Sequence, residues 1–235
     1  MRKLNGLSAI ITGAAGGIGS EIARMLADDG VKLTLLSQNS ERLAALSNEL
    51  SAKTDVISRV IDVRDDAQVS AAIDVSAETF GAPDFLLNLA GLSIPAKLWD
   101  MSAEDYETTL DVNVKGTFLM CKHFARVADS EKGALILNTG SMAAKRANGN
   151  APLYCTAKAA VNMLSSGMQI QYKEKNIRVT TINPGGADTP FWGSRPVARE
   201  KLLRASDVAE VFYFVMTRDS RVVFSELNFE SFLNQ

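Results

Sequence analysis

Cysteine is scarce in this chain: Cys121 and Cys155 are the only two in 235 residues. Two cysteines cannot build a disulfide framework. Neither sits in a Cys-x-x-Cys or Cys/His cluster, so no metal site is expected and both thiols are expected reduced. Histidine is scarcer still, with His123 alone, expected to pack or face solvent rather than catalyse. Long hydrophobic runs are missing. The apolar stretches are strand-sized, well short of the roughly 20 residues of a membrane span. Met1–Leu7 is too short and polar for a signal peptide, which points to the cytoplasm and away from a membrane partner. An excess of either charge is missing too. Twenty-five Lys and Arg stand against 27 Asp and Glu, for a net charge of -2. Such a balance gives no field to hold a phosphate backbone, which argues against nucleic acid as a partner. Repeats, low-complexity tracts and Pro/Gly-rich linkers are absent, so residues 1–235 are expected to form a single domain.

What is present is ordinary globular material, 46% hydrophobic and 22% charged, enough for a sizeable core. Apolar strand-length runs alternate with helical periodicity. Strands are predicted at Ser8–Thr12, Val31–Leu36, Val56–Val63, Asp84–Leu89, Ala134–Asn138, Arg178–Ile182 and Val222–Phe229. Between them Ile18, Ile22, Met25 and Leu26 share one helix face, as do Leu43, Leu46 and Leu50 behind a cap at Asn39 or Ser40. Asp65-Asp66-Ala67-Gln68 resembles a capping box. Ser102 to Asp105 caps a long fourth helix carrying Tyr106, Leu110 and Val114. Another helix runs from about Tyr154 to Lys173, and one opens at Ser206-Asp207-Val208. The alternation predicts an α/β fold, a Rossmann-type doubly wound sheet of about seven parallel strands with helices on both faces.

Two features carry chemistry. Thr12-Gly13-Ala14-Ala15-Gly16-Gly17-Ile18-Gly19 lies between the first strand and the first helix, where glycines allow a tight turn and close approach to a pyrophosphate. Tyr154-Cys155-Thr156-Ala157-Lys158 puts a phenol and an ammonium on one helix face. A phenol ordinarily titrates near pH 10, about three units too high for easy exchange. A neighbouring ammonium is expected to lower that value and make Tyr154 a general acid/base.

With these motifs the chain resembles the short-chain dehydrogenases/reductases, from about Leu7 to Phe229 and with motifs in family order. Thr12-Gly13 through Gly17-Ile18-Gly19 matches the cofactor fingerprint, which implies dinucleotide contacts from Gly13, Ala15, Gly16, Gly17, Ile18 and Gly19. Asn88-Leu89-Ala90-Gly91 resembles the family's Asn-Asn-Ala-Gly, with Leu89 in place of the second Asn. It implies that Asn88, Ala90 and Gly91 pass beside the adenosine ribose. Asp62-Val63 matches the pair that meets the adenine ring. Gly140-Ser141 falls where the family has its catalytic serine, and Asn113 matches the asparagine that kinks the fourth helix and orders a relay water. Pro184-Gly185-Gly186-Ala187-Asp188-Thr189 resembles the loop that meets the nicotinamide carboxamide, through Pro184, Gly185, Ala187 and Thr189. The resemblance implies hydride transfer between nicotinamide and a carbonyl or alcohol. Asn113, Ser141, Tyr154 and Lys158 then form the catalytic set, with Tyr154 and Lys158 also on the cofactor.

The end of the second strand reads Ser37-Gln38-Asn39. It lacks both the carboxylate of an NAD site and the cation of an NADP site. With nothing acidic to repel a 2′-phosphate, NADP is preferred over NAD, and Arg42 and Arg64 are expected in solvent. The segment after Thr189 is short for a lid and implies an open site, with Phe191 and Trp192 available to cover an apolar substrate. Among enzymes the chain resembles 3-oxoacyl-thioester reductases, with polyol or secondary-alcohol dehydrogenases as the other reading. A non-catalytic NAD(P)-binding regulator is the alternative class. Surplus apolar residues, Val114, Phe118, Leu119, Met120 and Phe124 on the fourth helix and Val161, Met163, Leu164 and Met168 on the fifth, predict a symmetric contact between copies, and the resemblance implies that it builds a homotetramer or homodimer.

Overall fold

The computed structural model describes residues 2–234. Seven parallel strands form one sheet: β1 (Ser8–Thr12), β2 (Lys32–Ser37), β3 (Val56–Val60), β4 (Phe85–Asn88), β5 (Ala134–Thr139), β6 (Ile177–Pro184) and, last in the chain, β9 (Glu226–Phe229). Their order is β3-β2-β1-β4-β5-β6-β9, so the chain winds outward from β1 in both directions. A crevice therefore opens at the carboxyl ends of β1 and β4, where the direction reverses. Two short strands, β7 (Ala187–Asp188) and β8 (Leu203–Arg204), pair apart from the sheet.

Alternation along the strands explains why both faces are covered. Ala9, Ile11, Leu33, Leu35, Phe85, Leu87, Leu135 and Leu137 project to one side, under α1 (Gly17–Asp28), α2 (Ser40–Leu50) and α7 (Ala205–Met216). Ile10, Leu36, Leu86 and Ile136 project to the other, under α3 (Asp66–Phe80), α5 (Gly116–Val127) and α6 (Pro152–Gln171). A strand buried on both faces reads as a continuous apolar run, which is how these strands look in sequence.

Several boundaries move for local reasons. The third strand ends at Val60, with one last bond from the Ile61 N–H to the Ser37 carbonyl at 3.1 Å; the Asp62 N–H, on the open edge of the sheet, is taken by the side-chain oxygen of Gln68 at 3.0 Å. That same oxygen was to close a capping box. Asp65 does cap α3, accepting from the N–H groups of Ala67 and Gln68, but the return arm lands on Asp62. Asn39 caps α2. The predicted strand at Val222–Phe229 pairs only over Glu226–Phe229. The long fourth helix is two helices, α4 (Ala103–Leu110) and α5, joined by a wide π-turn at Asp111–Lys115. Asn113 sits in that turn, and its amide donates to the Thr109 carbonyl at 2.8 Å and to Leu92 at 2.9 Å. A side chain that takes over its own helix's carbonyl displaces the regular ladder and bends the axis.

Candidate active site

The crevice is built first by the glycine turn. The buried Thr12 hydroxyl accepts from the N–H groups of Leu89 and Ala90 at 3.1 and 3.2 Å, locking the ends of β1 and β4 side by side. Gly13 has φ +65°, and a Cβ there would lie 2.8 Å from the Ala90 nitrogen, so no other residue fits. Gly16 N–H closes the turn on the Gly13 carbonyl at 2.9 Å. Helix α1 then starts with no side-chain cap, leaving first-turn N–H groups available to an anion. Gly13, Ala15, Gly16, Gly17, Ile18 and Gly19 all line a cavity of about 1100 Å³. Ser37, Gln38, Asn39, Val63, Ala90, Gly91, Pro184, Gly185, Ala187 and Thr189 line it too, as do Ser141, Tyr154 and Lys158.

At the catalytic end α6 presents Tyr154 and, one turn later, Lys158. The ammonium of Lys158 is buried and donates to the Thr139 carbonyl at 2.8 Å, 5.7 Å from the Tyr154 ring centre. A Cβ on Gly91 would lie 2.8 Å from Asn113 Oδ1 and 3.3 Å from the Lys158 nitrogen. Asn113 is therefore behind the cavity wall at Gly91, and its Oδ1 has no hydrogen-bond partner among the described residues. Ser141 stands at the end of β5. Its hydroxyl accepts from Ala143 N–H at 3.0 Å, and its own N–H donates to Asn183 Oδ1 at 3.0 Å.

Burial sets the electrostatics. It pushes the Tyr154 phenol up to about 12, against the opposing pull of the Ser141 hydroxyl and of the Arg195 charge. It pushes the Lys158 ammonium down to about 8. The expectation that the ammonium lowers the phenol is corrected here: Lys158 is aimed at Thr139, and desolvation dominates.

Two proposed cofactor contacts do not reach the cavity with their side chains. Asp62 is tied to Arg64 by an ion pair at 2.6 Å, which holds its carboxyl below the usual range. Asn88 is buried and donates to Asn138 Oδ1 at 2.8 Å; Asn138 in turn donates to Ser165 on α6 at 2.9 Å. Asn88 thus steadies the sheet under the site. Leu89 packs against the core. His123 is buried against Asp66 at 2.7 Å, as packing predicts. Arg42 is exposed to solvent, as expected, and also lines the cavity rim beside Ser37–Asn39. Sequence reasoning missed Arg146, Arg195 and Glu230, which also line the cavity. No motif marks them, and Arg146 meets Glu230 only because β9 lies beside β6. Among the described residues no cluster of His, Cys, Asp or Glu is suited to a metal, and no helix is long and apolar enough to cross a membrane.

A doubly wound sheet with a glycine-lined crevice at its switch point, and a Tyr/Lys/Ser group on the crevice wall, is the arrangement of a dinucleotide-dependent oxidoreductase. Residues 8–199 match the family model described as short chain dehydrogenase. The chain belongs to that family and is an NAD(P)-dependent oxidoreductase. An uncharacterized oxidoreductase of Staphylococcus saprophyticus is 30% identical over 229 residues, 97% of this chain and 98% of that protein. A short chain dehydrogenase from Burkholderia cenocepacia, solved in complex with NADP, superposes with a TM-score of 0.91 at 29% identity over 100% of both chains. An NAD+-bound xylitol dehydrogenase superposes at 0.89 with 27% identity, covering 98% of this chain and 100% of that one.

Proposed function

We propose that this enzyme transfers hydride between NADP(H) and a carbonyl or secondary-alcohol substrate, with Tyr154 as the general acid/base. The observation that carries the reading is that Ser141, Tyr154 and Lys158 share one cavity with the uncapped start of α1 and the glycine turn. The fit to a dinucleotide rests on that turn, where Gly13 packs too close to the Leu89–Ala90 backbone for a side chain, and on the uncapped first turn of α1 beside it. Gly13 to Gly19 would hold the pyrophosphate, Pro184 to Thr189 the carboxamide, and Lys158 with Tyr154 the ribose next to it. When bound, the cofactor supplies or accepts the hydride. Ser141 Oγ then donates a hydrogen bond to the substrate oxygen as charge builds there. Tyr154, held protonated by burial, gives that oxygen its proton in the reducing direction. Lys158 and Asn113, grouped around Gly91, lie on the path by which the phenol regains it.

NADP is favoured over NAD by what surrounds the end of β2. Ser37, Gln38 and Asn39 carry no negative charge, and Arg42 adds a cation at the same rim. A homo-oligomer and a cytoplasmic location complete the proposal. The free thiols of Cys121 and Cys155 suit a reducing compartment. The test is a panel of ketones and oxo acids with NADPH and NADH, followed by loss of reduced-cofactor absorbance. Oxidation of NADPH by at least one class is expected. A protein that binds the dinucleotide yet turns over nothing in either direction is a binding regulator instead.

A further inference from the structure

The segment after Asp188 leaves the sheet and returns at Leu203, and the β7–β8 pairing closes its base. Its first turn carries Phe191 and Trp192. Trp192 Nε1 donates to the Ala187 carbonyl at 2.8 Å, which fixes the indole. The Phe191 ring lies 5.7 Å from the Tyr154 ring, centre to centre. Arg195 stacks its guanidinium against both aromatics, 5.0 Å from each ring centre. Its Nε donates to the Trp192 carbonyl at 2.9 Å, and a terminal nitrogen donates to the Phe191 carbonyl. These contacts orient the charge without neutralising it.

Neighbouring cations are neutralised. Arg146 pairs with Glu230, Lys145 with Glu226 and Arg199 with Asp188. Arg195 has no carboxylate partner among the described residues. The cavity wall therefore sorts by charge. Arg146 and Glu230 cancel, Lys158 belongs to the reaction, and Arg42 stands at the β2 end beside the cofactor's ribose. Among the described residues Arg195 is left as the one cation at the catalytic end with neither a carboxylate partner nor a step assigned above. A half-buried guanidinium on a fixed aromatic platform has lost part of its hydration and presents a planar donor fork, which matches a carboxylate.

We propose that Arg195 binds a carboxylate on the substrate, so that the enzyme acts on short oxo acids and their hydroxy-acid counterparts in preference to neutral ketones and alcohols. The two ring separations keep the guanidinium within about 11 Å of the Tyr154 ring centre, so one small molecule can span both. The proposal rests on the oxidoreductase reading above.

The experiment uses two readouts so that the two ideas fail separately. The first is equilibrium binding with saturating NADP+, read from Trp192 fluorescence in a Trp99→Phe background; Trp99 is exposed and away from the cavity wall. The probes are 4-oxopentanoate and its methyl ester. The acid is expected to bind at least ~10-fold more tightly than the ester. Arg195→Gln should level the two, and Arg195→Lys should keep part of the preference. The second readout is kcat/KM for the same pair with NADPH. Arg195→Gln should lower it for the acid by ~10-fold or more and leave the ester within about threefold, which also shows that the segment still folds. Equal affinity for acid and ester in the unaltered enzyme, or an acid preference that survives Arg195→Gln, overturns the anion site. A loss shared equally by acid and ester overturns it too, by assigning Arg195 to Tyr154 or to the segment's shape. Selective binding of the acid with no hydride transfer leaves the anion site standing and refutes the oxidoreductase reading.

Discussion

At the scale of single residues the reaction centre is defined by burial. A phenol pushed up to about 12 is a proton donor across the neutral range. Tyr154→Phe keeps the ring and removes that proton, so turnover should fall by roughly 100-fold or more, with dinucleotide affinity little changed in a fluorescence titration. Turnover near that of the parent enzyme would remove Tyr154 from the mechanism. Lys158 is a stability liability with a definite pH signature. Its ammonium titrates near 8 in the folded chain and near 10.4 unfolded. Below the folded value the cost of burying the charge is fully present. Between the two values the unfolded chain binds more protons, so the cost recedes as pH rises. Lys158→Met should raise Tm at pH 7, and the gain should shrink steadily toward pH 10. A gain that does not change with pH would show that packing, not charge, sets the cost. Sequence names Ser141, Tyr154, Lys158 and the glycines by motif, and all of them line the cavity. It misled on the phenol, because spacing along α6 says that two groups share a face but not which neighbour each one addresses.

At the scale of elements, the junctions decide what the cavity holds. The β2–α2 junction brings Ser37, Gln38, Asn39 and Arg42 to one rim, while Asn39 spends its side-chain oxygen on capping α2. That leaves Arg42, in the first helical turn, as the cation for a 2′-phosphate. Arg42→Ala should lower kcat/KM with NADPH by about 10-fold or more and leave NADH nearly unaffected. Ser37→Asp should reverse the preference by accepting ribose hydroxyls and repelling phosphate. Equal losses with both cofactors would show that the junction does not read the phosphate. Helix and strand cores were legible because two-sided burial writes continuous apolar runs and Leu43, Leu46 and Leu50 repeat at helical spacing. Element ends were not, because they depend on side-chain bonds that spacing does not show: Gln68 turns back to the Asp62 N–H past the end of β3, and the Asn113 amide widens the helix between α4 and α5. Arg195 escaped notice for the same reason, since its importance lies in a missing partner and a stacked platform that only folding assembles.

At the scale of the whole molecule, most of the apolar surplus on α5 and α6 proves to be internal. Leu119, Met120, Phe124, Val161 and Met168 are buried against the sheet, whereas Phe118 and Met163 stay exposed, with Ile170 beyond them. In the proposed homo-oligomer that remnant would be the surface facing a second copy. Light scattering at micromolar concentration should give a multiple of 25.3 kDa, and Phe118→Glu with Met163→Glu should shift it toward the monomer. A parent protein already at monomer mass would refute assembly. Strand β9, at the edge of the sheet, fastens the reaction centre: Asn228 accepts from Asn183, which holds the Ser141 N–H, while Glu226 and, just past the strand, Glu230 grip Lys145 and Arg146. The glycine turn takes its support from the far side, through Thr12 on the end of β4. Fraying of that edge should therefore cost the protein its turnover while sparing its grip on the pyrophosphate.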